Sequence, residues 1–199
     1  MKVTPLRIVI AALLAGSLGV VASVLINGPG PLAGTEFGQR ALNHAASASA
    51  PAAPPGVSVP ARGDAVVPFE IADLDGAPVR LPADFAGRPL LVNIWASWCG
   101  PCIEEMPELD RFAGEQGANG TQVLGIGLVD AGAVRSFLQR IPVGYAIALD
   151  APGPADAGVR VGNPRGVLPY TALISADGRV LKQKIGPFQH GEIDGWVMD

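Results

Sequence analysis

Two cysteines, Cys99 and Cys102, stand three residues apart in the segment WASWCGPC, residues 95–102, and they are the only cysteines of the chain. Two thiols at this spacing can alternate between a dithiol and an intramolecular disulfide, and so exchange electrons with other disulfides. Because there is no third cysteine, the pair oxidises most simply within itself. The same count excludes a scaffold built on several disulfides.

The residues around the pair indicate how it is positioned. Residues 90–95 are apolar on both faces, as in a central parallel strand, and the residues after the pair have apolar side chains at helical spacing. Cys99 therefore starts a helix, where unpaired N–H groups and the helix dipole favour a thiolate. We predict that Cys99 is the nucleophile and that Cys102, one turn later, resolves the mixed disulfide. Gly100 and Pro101 are predicted structural residues that keep this turn tight.

Other uses of a Cys-x-x-Cys pair conflict with this sequence. A structural zinc site needs about four cysteine or histidine ligands, and only His44 and His190 could add to the pair. Covalent haem attachment needs a histidine directly after the second cysteine, where this chain has Ile103. We therefore predict no metal site and no cofactor other than the redox-active Cys99–Cys102 disulfide.

The N-terminal part of the chain differs from the rest. Lys2 and Arg7 precede residues 8–26, which include no charged residue. As a helix this run would be about 28 Å long, close to the thickness of a bilayer core. We predict that residues 1–26 form a transmembrane anchor whose positive end stays in the cytoplasm. A cleaved signal peptide is the alternative, with a passable cleavage site at residues 21–23.

Residues 27–63 are rich in Ala, Pro and Gly and have no apolar periodicity, which predicts a disordered linker. Residues 64–199 are the predicted folded domain, in which strands alternate with helices before a final hairpin. From residue 57 onward the chain has 11 basic and 17 acidic residues. This acidic balance argues against a nucleic-acid partner.

The segment WASWCGPCIEEMPEL, residues 95–109, resembles the active-site segment of the thioredoxin superfamily. It is closest to the TlpA/ResA-like branch of membrane-anchored bacterial thiol–disulfide oxidoreductases, and the resemblance covers roughly residues 64–188. The resemblance implies an α/β thioredoxin fold, a mixed sheet flanked by helices. It also implies a cis-proline loop at Pro169 that packs against the disulfide. The backbone beside this proline, at Leu168, would pair with the substrate chain.

Further residues receive roles from the same resemblance. Glu105 falls where ResA-like proteins have a glutamate close to the cysteines, and it would tune Cys102 or relay a proton. A solvated helix face is the alternative for Glu105 and the expectation for Glu104 and Glu108. Asn93 occupies the place of a buried aspartate in cytoplasmic thioredoxins, and we expect it to have a packing role.

Two tryptophans and one histidine complete the set of candidate residues. Trp95 is expected in the core, whereas Trp98, next to the nucleophile, is expected to form the exposed rim where a substrate docks. His190 is expected at the surface, without a catalytic role.

Together these features predict an extracytoplasmic thiol–disulfide oxidoreductase. It would cross the inner (cytoplasmic) membrane once, with its N-terminus in the cytoplasm and its catalytic domain in the periplasm. The predicted substrates are exported proteins with disulfides, for example during cytochrome c maturation, or a copper-site assembly factor. A reductase in an oxidising compartment needs recharging, which implies a membrane electron donor of the DsbD/CcdA type. The alternatives are a disulfide donor or isomerase, and a binding module without essential redox turnover.

Overall fold

The computed structural model describes residues 53–198 and the single positions 38, 41 and 45. The predicted membrane anchor, residues 1–26, lies outside the described residues, as does most of the predicted linker. Within the described part, no helix combines the length and the apolar character that a membrane crossing would require.

Within residues 53–198, strands and helices alternate as the sequence pattern predicts. The strands are β1 (Phe69–Asp73), β2 (Pro78–Leu81), β3 (Leu90–Trp95), β4 (Gln122–Gly127), β5 (Ala146–Leu149), β6 (Tyr170–Ile174) and β7 (Val180–Ile185). The helices are α1 (Gly100–Glu115), α2 (Ala131–Leu138), α3 (Ala157–Arg160) and α4 (Glu192–Met198), and a short 3₁₀ turn covers Ala83–Phe85.

The seven strands form one mixed sheet in the order β2-β1-β5-β4-β3-β6-β7. The central strands β3, β4 and β5 run parallel, whereas β6 pairs antiparallel with both β3 and β7. On the other side, β1 pairs antiparallel with β5 and β2. The prediction of an α/β sheet with an antiparallel edge is therefore confirmed.

Strand β3 lies at the centre of this sheet, and all six of its residues are buried. Because side chains alternate along a strand, Val92 and Ile94 join the apolar cluster on one face. Leu91 and Trp95 join the cluster on the other face, which also contains both cysteines. Helices α1, α2 and α4 cover this second face. The two cysteines, which follow the end of β3, therefore lie on the helix-covered side of the sheet.

The chain segments flanking the central elements are also attached to the sheet. Before β1, the N–H of Gly63 donates to the carbonyl of Val180 at 2.8 Å, and Nε2 of Gln183 donates to the carbonyl of Pro60 at 3.1 Å. After β7, the terminal helix α4 is short, as its sequence indicates. The last residues of the predicted linker, 60–63, thus lie along the edge strand β7, and the prediction of disorder is wrong for them.

Candidate functional site

The two cysteines form a disulfide at the start of α1, with an S–S distance of 2.04 Å. Cys99 caps the helix in an extended conformation, and its Sγ accepts a hydrogen bond from the N–H of Cys102 at 3.3 Å. Cys99 is 6% exposed and Cys102 is completely buried. Cys99 is therefore the outer sulfur and Cys102 the inner one, at the helix end where the dipole favours a thiolate, while their roles as nucleophile and resolving thiol stay a prediction.

The residues next to the disulfide form an exposed rim. Trp98 is 73% exposed, the largest exposed aromatic side chain beside the site, whereas Trp95 is fully buried in the core. Gly100 and Pro101 are the first two residues of α1, and both are exposed. The structure thus places Trp98 at the surface and Trp95 in the interior, as the sequence predicts.

The loop before β6 lies against the same site. The peptide bond between Leu168 and Pro169 is cis, as the family resemblance implies. Pro169 is buried, and Leu168 packs against the apolar cluster that contains both cysteines. The fold therefore brings this loop to the disulfide although about 70 residues separate the two in sequence.

A shallow groove continues from this loop along the surface. Trp98, Leu128 and Leu168 form part of its lining. Its remaining walls come from the connection between β5 and β6: Pro152, Gly153, Pro154, Asp156, Val159, Pro164, Arg165 and Gly166. The groove thus connects the exposed Trp98 with the loop before the cis-proline.

Glu105 lies three residues after Cys102 on the buried face of α1, and it is completely buried. Its Oε1 accepts from Nδ2 of Asn93 at 2.8 Å, and its Oε2 accepts from the N–H of Phe188 at 2.9 Å. Burial raises the pKa of Glu105 to about 7, although these hydrogen bonds and the charge of Lys184 act in the opposite direction. A carboxyl with this pKa exchanges its proton near neutral pH.

Asn93 has a more specific role than the packing role that the sequence suggests. Its Nδ2 donates to Thr171 Oγ1 at 3.1 Å as well as to Glu105. Thr171 faces Asn93 across β3 and β6, and Lys184 faces Thr171 across β6 and β7. Strand pairing therefore builds a polar row under α1, which the sequence of β3 alone does not show.

The expectation for Glu108 is wrong, because its carboxylate is buried and not solvated. It accepts hydrogen bonds from Arg111 and, at 2.8 Å, from the N–H of Gly191. These contacts, the Arg111 hydrogen bonds above all, lower the pKa of Glu108. His190 is 88% exposed, as predicted, and its Nδ1 lies 3.0 Å from Glu108. Glu104 is exposed, in agreement with its expected place on the solvated face.

Sequence reasoning missed two residues near the site, Lys184 and Asn163. Lys184 is buried and pairs with Glu192 at 2.7 Å. The alternating pattern of β7 places Lys182 and Lys184 on one face, but it does not say that this face is covered by α4. Asn163 is 2% exposed and binds the backbone before the cis-proline. The Gly-Asn-Pro sequence at 162–164 signals a turn, without indicating what the asparagine contacts.

Comparisons with known proteins agree with this geometry. Residues 55–195 match the Redoxin family. The thiol-disulfide oxidoreductase ResA of Bacillus thuringiensis (strain Al Hakam) is 27% identical over 132 residues, which cover 65% of this chain and 72% of that protein. ResA of Geobacillus thermodenitrificans (strain NG80-2) is 30% identical over 123 residues, which cover 60% of this chain and 67% of that protein.

A solved structure extends the likeness to three dimensions. The thioredoxin-related protein from Neisseria meningitidis serogroup B has a TM-score of 0.58 and 28% sequence identity. The match covers 65% of this chain and 96% of that chain. The thioredoxin fold that the sequence resemblance implies is thereby confirmed for the folded part.

Proposed function

Because this chain belongs to the Redoxin family and is a thiol–disulfide oxidoreductase, we propose that it is a membrane-tethered reductase of disulfides in exported proteins. The observation that carries this proposal is the Cys99–Cys102 pair at the first turn of α1, which belongs to the apolar cluster against which Leu168, the residue before the cis bond, packs. The exposed Trp98 and the adjoining groove offer a partner chain a place to dock.

The reaction starts from the reduced pair. The Cys99 thiolate attacks one sulfur of the substrate disulfide, so a mixed disulfide forms and the second substrate sulfur leaves as a thiolate, which takes up a proton. Cys102 then loses its proton and attacks Sγ of Cys99. The mixed bond breaks, the Cys99–Cys102 disulfide forms, and the first substrate sulfur leaves as a thiol. Two electrons pass from the protein dithiol to the substrate disulfide.

Glu105 is the proposed proton acceptor for Cys102. The two residues are three positions apart on α1, so they share one face of the helix. Burial raises the pKa of Glu105 to about 7, which suits a group that takes and returns a proton near neutral pH. Asn93 and the N–H of Phe188 hold the carboxyl in place through the process.

The proposed setting follows from the N-terminal sequence and from the family resemblance. The uncharged residues 8–26 would hold the protein in the inner membrane, and the linker would let the catalytic domain move in the periplasm. Apocytochromes c are the proposed substrates, since the two cysteines of their Cys-x-x-Cys-His motif must be reduced before haem attachment. The oxidised protein would be recharged by a membrane electron donor of the DsbD/CcdA type, because the compartment itself is oxidising.

The redox state of the pair in growing cells tests the direction of electron flow. Cells are quenched with acid, and free thiols are alkylated with a mass-tagged maleimide. A largely reduced pair supports a reductase that is actively supplied with electrons. A fully oxidised pair contradicts this proposal and favours the alternative of a disulfide donor.

Trapping tests the assignment of the two sulfurs and identifies substrates. Cys102→Ser should accumulate mixed disulfides at Cys99 with exported proteins, because the resolving thiol is missing. Cys99→Ser is the matched control, and it should trap far less. Equal trapping by both variants would contradict the assigned order, and maturation that survives Cys99→Ser would favour the binding-module alternative.

A further inference from the structure

The side-chain amide of Asn163 holds the peptide groups of Val167 from both sides. Nδ2 of Asn163 donates to the carbonyl of Val167 at 2.9 Å, and the N–H of Val167 donates to Oδ1 of Asn163 at 3.1 Å. One amide thus makes the two hydrogen bonds that a residue of a neighbouring strand would make. The five residues 163–167 are closed into a ring, which ends one residue before the cis Leu168–Pro169 bond.

The backbone of Asn163 is itself fixed. Its N–H donates to the carbonyl of Gly158 at 2.8 Å, and its carbonyl accepts from the N–H of Gly166 at 3.2 Å. Gly162 and Gly166, on either side, have φ values of +102° and +61°, a region that favours glycine. Asn163 is 2% exposed, so its amide is held by the surrounding protein. The two hydrogen bonds between the Asn163 amide and Val167 form a clamp, and the backbone of Asn163 holds this clamp in place.

The clamp determines which peptide groups face outward. The N–H and C=O of Val167 point to Asn163, and in an extended chain the groups of the next residue point to the opposite side. Leu168 precedes a proline and is restricted to extended conformations. Within residues 53–198, neither the N–H nor the C=O of Leu168 has a hydrogen-bond partner. These free groups lie in the loop that packs beside the disulfide and lines the groove.

We propose that Asn163 is a positioning residue, which turns the peptide groups of Leu168 outward so that they pair with an extended segment of the disulfide substrate. The inference rests on the proposed function and on the backbone pairing at Leu168 that the family resemblance implies, and it adds Asn163 as the residue that positions this backbone. Recognition through backbone groups makes the enzyme select an extended peptide around the attacked cysteine rather than a particular side chain. Asn163 does not touch the substrate and acts only through Val167 and Leu168.

The test compares substrates that share one reacting bond and differ in backbone. Each is a cysteine in mixed disulfide with thionitrobenzoate, presented either as N-acetylcysteine methylamide or within an extended peptide. Attack of Cys99 on the cysteine sulfur releases the coloured thionitrobenzoate, and Cys102 then releases the cysteine thiol, so each reduced protein molecule turns over once. Two further peptides have an N-methyl group on the residue before or after the cysteine, which removes one backbone N–H.

The full-length wild type should react faster with the peptide than with the small compound, and at least one N-methyl group should remove much of this advantage. Asn163→Ala should lower the second-order rate constant for the peptide, relative to that for the small compound, by roughly 10- to 30-fold, the worth of about two backbone hydrogen bonds. This variant should also no longer distinguish the N-methylated peptides. Asn163→Asp, which is nearly the same shape but sets a carboxylate against the carbonyl of Val167, should show the same loss. Asn119→Ala, in an exposed loop, is the matched control.

Equal losses with peptide and small compound would show a general structural role and would overturn the inference. Wild-type rates that do not respond to N-methylation would overturn it as well, and this result does not depend on how any variant folds. If the reduced wild type attacks none of the mixed disulfides, the proposed function fails and the inference fails with it. Activity of the wild type with no selective effect of Asn163→Ala rejects the positioning role alone.

Discussion

Replacing Glu105 by glutamine removes a buried ionisable group from the helix that begins at the disulfide, while keeping the shape of the side chain. The amide oxygen of the new residue can still accept from the N–H of Phe188, as Oε2 of Glu105 does at 2.9 Å. Asn93 can turn its own amide to accept from the new NH₂ group, because its Oδ1 has no hydrogen-bond partner among the described residues. The variant should therefore fold, and its main difference should be the loss of one titration.

The size of the effect follows from the pKa of Glu105. Burial raises this pKa from the ordinary value of 4.5 to about 7, so the folded protein holds the proton more tightly than the unfolded chain. The stability that the protonated form contributes is fully present below about pH 4.5 and is lost as the pH rises through about 7. At about 1.4 kcal/mol per pH unit, the interval corresponds to roughly 3 kcal/mol of unfolding free energy.

Chemical denaturation of the oxidised protein, followed by tryptophan fluorescence between pH 4.5 and pH 8.5, measures this loss. The wild type should lose roughly 3 kcal/mol more than Glu105→Gln across the range, since all other titrations are common to both proteins. Glu104→Gln is the matched control, because Glu104 is the exposed neighbour on the same helix. If Glu105→Gln keeps the pH dependence of the wild type, the carboxyl does not titrate in this range and the argument for Glu105 as proton acceptor falls.

Three further predictions concern the surroundings of the pair. Glu108→Ala should lower the unfolding free energy by roughly 2–3 kcal/mol, because it removes a buried carboxylate that holds the C-terminal segment. Hydrogen exchange at the N–H of Gly191 should become faster, and unchanged exchange there would contradict this role. Gly125→Ala should destabilise the protein by about 1–3 kcal/mol in thermal unfolding, since the added Cβ would lie 2.9 Å from the ring of Tyr145, and a neutral result would show that the ring can move. Trp98→Ala should change stability by no more than about 0.5 kcal/mol, because this side chain is 73% exposed, yet it should slow peptide reduction in the single-turnover assay; equal rates would remove Trp98 from the docking surface.

The disulfide and the elements that position it could be predicted because the relevant patterns are local. An apolar run precedes the pair and an amphipathic pattern follows it, and the structure has β3 ending at Trp95 and α1 beginning at Gly100. The prediction of a cis bond before Pro169 rests on the family resemblance, since nothing in the neighbouring sequence specifies the isomer. Helix and strand periodicity thus determined the local frame of the site.

The polar partners of the site could not be predicted in the same way. The contact between Glu105 and Phe188 spans 83 residues, and that between Asn93 and Thr171 spans 78. Glu104, Glu105 and Glu108 look alike in the sequence, yet the first is exposed and the other two are buried. Whether a helical glutamate faces solvent or a covered sheet depends on where the C-terminal segment packs, which is a property of the whole fold.

By itself, the sequence determined the chemistry of this protein: two thiols at the N-terminus of a helix can exchange disulfides wherever the rest of the chain lies. Only the tertiary structure decided the environment of that chemistry. It buried Glu105 so that its pKa moves to about 7, and it set Asn163 against Val167 so that the peptide groups of Leu168 have no partner. The physical reason is the distance along the chain over which each interaction acts. Periodicity and helix capping act over a few residues, whereas desolvation and hydrogen bonding between distant segments exist only once the sheet and its covering helices are packed.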